Sequence, residues 1–242
     1  MNPIVVVFIL AFGFCLSDTA LAQDLEAPEV TFPELIEHGS DARAFVPAGW
    51  LLEHEIKGDL NTDGVDDLVL VLHDNDPANL IKPDLGMDVP LDTNPRMLAV
   101  ALADTEGGYR LALANSVIIP RIIYTNESDP LSESGGVSID RGSLVVVIYY
   151  FYSSGGSDTG HMDFRFRHED DGFRLIGYDR VNVNRMSGEI KNVSANYLNR
   201  KVVIKTGSIE SDVDKVTTKR LKSGGVVTIE DIGEPFAFEP QY

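Results

Sequence analysis

Cysteine is almost absent: the chain has 242 residues and one thiol, Cys15. That excludes a disulfide framework and any C-x-x-C redox or zinc motif, so stability must come from a hydrophobic core and from bound metal. Histidine is sparse too. The five histidines, at 38, 54, 73, 161 and 168, show neither H-x-H nor H-E-x-x-H spacing, so no zinc site is indicated. No glycine-rich phosphate loop precedes a helix pattern, and no G-x-S-x-G elbow is present. Basic side chains are in deficit, 20 Lys and Arg against 38 Asp and Glu, for a net charge of −18. Such a field repels nucleic acid and anionic membrane and suits calcium or a basic protein partner. The longest apolar run, Ile4–Leu16, has thirteen residues, short of the ~18 a membrane span needs.

That run reads as the core of a signal peptide over residues 1–22. Ala20-Leu-Ala22 supplies an A-x-A cleavage site before Gln23. Cleavage would remove Cys15 and leave a periplasmic or secreted protein without thiols. Residues 23–44 are polar and read as an N-terminal arm. Residues 45–242 are expected to form a single β-rich domain.

Within that domain one stretch carries specific chemistry, Gly58-Asp-Leu-Asn-Thr-Asp-Gly-Val-Asp-Asp-Leu-Val-Leu-Val-Leu72. Oxygen-bearing side chains fall at alternate positions, Asp59, Asn61 and Asp63. Gly64 permits a sharp turn. Val65 can offer its backbone carbonyl, and Asp67 can close the site, with Asp66 pointing away. Calcium takes six to eight oxygens from a flexible loop, so these five residues are the candidate metal ligands, Ca2+ the candidate ion, and 59–67 the candidate calcium loop. An EF-hand would need Glu at the twelfth position, and Leu70 stands there. The apolar run Leu68–Leu72 predicts a buried strand rather than an exit helix.

The strand pattern continues in pairs. Segments 96–103 and 109–114, 136–140 and 144–152, 161–167 and 173–178, and 192–198 and 201–205 are each separated by turn chemistry and read as β-hairpins. In 161–167, Met162, Phe164 and Phe166 alternate with Asp163, Arg165 and Arg167, giving one buried and one wet face. A further strand is expected at Gly225–Glu230. Residues 74–94 hold three prolines and five aspartates and read as a long surface loop. The predicted fold is mainly β with little helix: an antiparallel hairpin meander, as a sandwich or a partial propeller-like stack. The calcium pattern occurs once, without a fixed-period repeat, which argues against a closed propeller.

The loop resembles the D-x-N-x-D-G-x-x-D-L signature of FG-GAP/VCBS-type repeats, which bind calcium in a loop leading into a strand. The wider order of features is similar to a group of exported bacterial proteins of unknown role. It includes Phe45-Val-Pro-Ala-Gly-Trp50, Gly108-Tyr-Arg-Leu111, Phe164-Arg-Phe166, Phe173–Asp179 and Asn196-Tyr-Leu198. The resemblance implies export, a β fold and calcium, and says nothing about catalysis.

The best catalytic candidate is Tyr152-Ser-Ser-Gly-Gly-Ser-Asp-Thr-Gly-His161, which gathers Ser153, Ser154, Ser157, Asp158 and His161. Neighbours in sequence rarely supply the geometry of a nucleophile, its base and an oxyanion donor. A Gly/Ser turn is the expected reading, and no catalytic residue is assigned. The preceding run, Tyr149-Tyr-Phe-Tyr152, can serve the core or a recognition face. The expectation is an exported calcium-binding β protein with a binding or structural role. An inhibitor or immunity-type protein acting on a basic enzyme, and a secreted hydrolase, are the alternatives.

Overall fold

The structure, a computed structural model, describes residues 27–82, 89–105, 107–131, 136–170, 172–222 and 225–242. The expected signal peptide over 1–22, the start of the expected arm and part of the 74–94 segment lie outside the described residues. Among the described residues fourteen strands follow in order: β1 (His38–Gly39), β2 (Trp50–Gly58), β3 (Asp67–Asp74), β4 (Leu80–Ile81), β5 (Leu91–Asp92), β6 (Arg96–Ala103), β7 (Tyr109–Asn115), β8 (Gly136–Asp140), β9 (Ser143–Phe151), β10 (Asp158–Glu169), β11 (Gly172–Asn184), β12 (Glu189–Asn196), β13 (Lys201–Ser208) and β14 (Ser211–Arg220). Among the described residues helix is confined to short 3-10 turns. The mainly β, antiparallel expectation holds.

One sheet has five strands in the order β1-β7-β6-β3-β2. A second has seven in strict sequence order, β8 through β14, and β4 pairs with β5 in a small third sheet. The expected hairpins are all present, with shifted ends. β12 starts at Glu189 and stops at Asn196; Tyr197 turns its N–H aside to the Ile176 carbonyl. β14 carries no clear apolar alternation, and no strand is expected there from sequence. The strand expected at Gly225–Glu230 is replaced by one isolated bridge, Thr228 to Arg174, flanked by Leu175 N–H to Val227 O and Ile229 N–H to Phe173 O. This segment belongs to a tail that crosses the seven-stranded sheet, so tertiary packing decides its conformation.

β3 and β6 explain why Leu68–Leu72 and Met97–Leu102 are apolar on both faces. Val69, Val71, Leu98 and Val100 face the seven-stranded sheet and join the shared core with Val146, Ile148, Met162, Phe164 and Phe166. Leu68, Leu70, Leu72, Met97 and Ala99 face the other way, under Phe45, Trp50 and the arm residue Leu35. The arm is thus the second cover of a strand buried on both sides. Where the five-stranded sheet ends, the tail takes over: Phe238 packs edge-on against Phe164 and Tyr178, and Phe236 against Tyr150.

A buried arginine ties β2 and β6 to the segment before β8. Glu53 is the extra residue of a bulge in β2, and its two carboxylate oxygens accept from Arg96 at 2.6 and 2.9 Å. Asp129 accepts from the same guanidinium at 3.0 and 2.8 Å.

Candidate metal centre

The acidic loop lies between β2 and β3, anchored at both ends. Leu60, 1% exposed, inserts into the core shared by the sheets. Asp67, 0% exposed, accepts the Leu60 N–H on one oxygen and the Ala103 N–H on the other, both at 2.8 Å. One carboxylate therefore pins the loop to the end of β6. A long-range partner of this kind leaves no local sequence signal. Burial pushes the Asp67 carboxyl above its ordinary range; the nearby Asp63 charge adds to this, and the backbone N–H groups of Ala103, Leu60 and Asn61 oppose it.

Between the anchors the chain curls tightly. Thr62 has φ of 64° and Gly64 of 88°, so the loop passes twice through the left-handed region. The curl turns the alternate oxygens inward. Asp59 Oδ1 and Asn61 Oδ1 both accept the Asp63 N–H, at 3.2 and 3.0 Å. Asp59 Oδ2 accepts from Gly64 at 3.0 Å, and Asp63 Oδ1 from Val65 at 2.8 Å. Asn61 Nδ2 donates to Asp63 Oδ2 at 2.9 Å. The Val65 side chain is exposed. The β8–β9 turn packs from the side, with Gly142 close to the Asp59 carbonyl.

The structure thus gathers Asp59, Asn61 and Asp63 on one turn and sets Asp67 behind them. Among the described residues, no three Asp, Glu, His or Cys side chains form one metal-holding group. The donor chemistry nevertheless fits a hard cation. All the candidate groups are oxygens, and a carboxylate oxygen that accepts one N–H keeps a second lone pair. Among the described residues no lysine, arginine or histidine forms an ion pair with Asp59, Asp63, Asp66 or Asp67.

The other acidic cluster is self-contained. Asp74 accepts from Asn75 N–H and from Asn79 Nδ2, while Asp76 accepts from Ala78 N–H and starts a 3-10 turn. The Gly/Ser candidate comes apart in space. Strand alternation puts Asp158 on the core-side face of β10 and His161 on the opposite face, where its ring stacks on Tyr149 with centroids 6.3 Å apart. Ser157 Oγ instead accepts from Asn184 Nδ2 at 2.9 Å. His161 cannot serve Ser157 as a base from the other side of the sheet.

No family model, curated protein or solved structure matches the chain. Among the described residues no helix is long and apolar enough to cross a membrane.

Proposed function

We propose that this is an exported β protein whose Asp59–Asp67 loop binds calcium, and that the ion stabilises the start of β3. The role is binding or structural rather than catalytic. One observation carries the reading: Asp59, Asn61 and Asp63 turn their oxygens onto one turn, with no cationic side chain of the described protein paired to them. Clustered carboxylates without a counter-charge repel one another, and a divalent cation relieves that repulsion. Asp59, Asn61 and Asp63 would hold the ion through side-chain oxygens, Val65 through its carbonyl, and Asp67 through the carboxylate that already fixes the loop. Calcium would supply charge neutralisation and cross-linking of the loop, and so couples to folding. The D-x-N-x-D-G-x-x-D-L resemblance and the leader-like residues 1–22 support calcium and export respectively.

The test is calcium titration calorimetry on chelator-treated protein beside the double variant Asp59→Ala/Asp63→Ala. Saturable one-to-one binding in the parent, lost in the variant, supports the reading. Absence of heat in the parent, with an unchanged melting curve on adding calcium, would leave an acidic turn and overturn it.

A further inference from the structure

A cleft of about 280 Å³ opens on the core-side face of the seven-stranded sheet, where β9, β10 and β11 meet the tail. It is separate from the acidic loop. Tyr150, Gly160 and Asn182 form one cross-strand row of that face. A Cβ on Gly160 would collide with the Val181 carbonyl and sit 2.9 Å from the Tyr150 hydroxyl, so only glycine fits. Across that gap Tyr150 donates to Asn182 Oδ1 at 2.6 Å, which leaves the NH2 end of the Asn182 amide for the cleft.

Arg180 stands in the next row. Its guanidinium lies 5.7 Å from the Tyr150 ring centroid and donates at 2.9 Å to Glu239 of the tail. The same guanidinium also interacts with the Tyr150 hydroxyl, so a ligand carboxylate reaches it by taking over from Glu239. Beside it Tyr178 is 0% exposed, and its hydroxyl has no hydrogen-bond partner among the described residues. The opposite wall holds Ser157 and Asp158, both fixed at 2.9 Å by the Asn184 amide. Tyr152 and Phe236 supply apolar surface.

We propose that this cleft binds a small carboxylate that also carries hydroxyl groups, an acid sugar or hydroxy acid, with its carboxylate on Arg180 in the place Glu239 occupies. A planar guanidinium matches a carboxylate in two parallel hydrogen bonds. Asp158 accepts from a ligand hydroxyl, and the rings of Tyr152 and Phe236 take the apolar face. The charge balance selects a single negative charge. Arg185, the other nearby guanidinium, is turned onto the Tyr152 and Gly156 carbonyls and the Phe151 ring. A dianion would therefore meet one cation and the Asp158 carboxylate. Glu239 has half of its side chain in solvent, so exchange needs only a local movement of the tail.

The test follows tyrosine ring signals by NMR in the full chain, with galacturonate as probe and neutral galactose as control. Galacturonate is expected to shift the Tyr150 and Tyr152 signals saturably, and galactose at equal concentration is not. Glu239→Gln, which removes the internal competitor, should tighten binding about fivefold, the worth of an exposed ion pair. Arg180→Met should abolish it. Should Arg180→Met prove unfolded, the Glu239→Gln comparison decides alone. No saturable shift in either the parent or Glu239→Gln, or equal shifts with galactose, overturns the proposal.

Discussion

Two acidic turns bracket β3, one ending at Asp67 and one starting at Asp74, and they solve the same problem differently. The second is closed by the protein itself. Arg121 inserts its guanidinium among oxygens, donating to the Thr93 carbonyl, to the Pro28 carbonyl at 2.7 Å, to Asn79 Oδ1 at 3.1 Å and to Thr93 Oγ1 at 3.2 Å. Asn79 and Asn94 complete the cage through their amides. The first turn has the same Asx chemistry and no resident cation among the described residues. The difference teaches that a row of aspartates is not itself a metal signal. What separates the two turns is a guanidinium hydrogen-bonded to carbonyl, amide and hydroxyl oxygens of the second; among the described residues the carboxylates of Asp74 and Asp76, like those of the first turn, form no ion pair with a basic side chain.

The comparison breaks most severely at Arg121. Arg121→Met strands several buried acceptors, and hydrogen bonds to a charged group are worth about 1.5–3 kcal/mol each, so a loss of about 3 kcal/mol is expected in denaturant unfolding. Calcium should not restore it. A loss below about 1 kcal/mol would show that the cage adds little to stability. Next in size is the ion. Calcium at a hundred times its dissociation constant should raise the stability of chelator-treated protein by about 2.7 kcal/mol. The gain should disappear in Asp59→Ala/Asp63→Ala and persist in Asp76→Ala; persistence in the double variant would place the ion elsewhere.

A smaller effect concerns pH. The folded Asp67 carboxyl titrates above its unfolded value. Between those values the folded state holds more protons than the unfolded one, so without calcium this group's contribution to stability falls as pH rises through the window. The slope is at most about 1.4 kcal/mol for each pH unit that separates the folded and unfolded titrations. Calcium should flatten that slope, because a cation favours the charged form. An unfolding midpoint independent of pH across the weakly acidic range would contradict it. The smallest change is Asp76→Ala, which removes the acceptor for Ala78 N–H and should cost about 0.5–1 kcal/mol with or without calcium.

Local pattern made the hairpins and the acidic loop legible. Period-two alternation in Met162, Phe164 and Phe166 made the two faces of β10 legible, but the separation of His161 from Ser157 was not read from it. The x-Asn61-x-Asp63-Gly64 spacing located the curl. Contacts between distant residues were not legible. Arg96 with Asp129, Asp67 with Ala103, and Arg180 with Glu239 depend on which strands become neighbours. β14 was missed because its Lys, Asp and Thr residues suit an exposed edge strand, where charge discourages further pairing and hides the alternation.

The tail has a kinetic consequence. Phe236 and Phe238 cover aromatic rings contributed by strands that precede them by scores of residues in the chain. Until residues 225–242 arrive, Phe164, Tyr150 and Tyr178 lack part of their cover, and the meander is a sheet with an open wet core. Exposed apolar surface of that kind makes an incompletely folded chain prone to aggregate. The tail thus acts as a completion signal: full burial waits for its arrival.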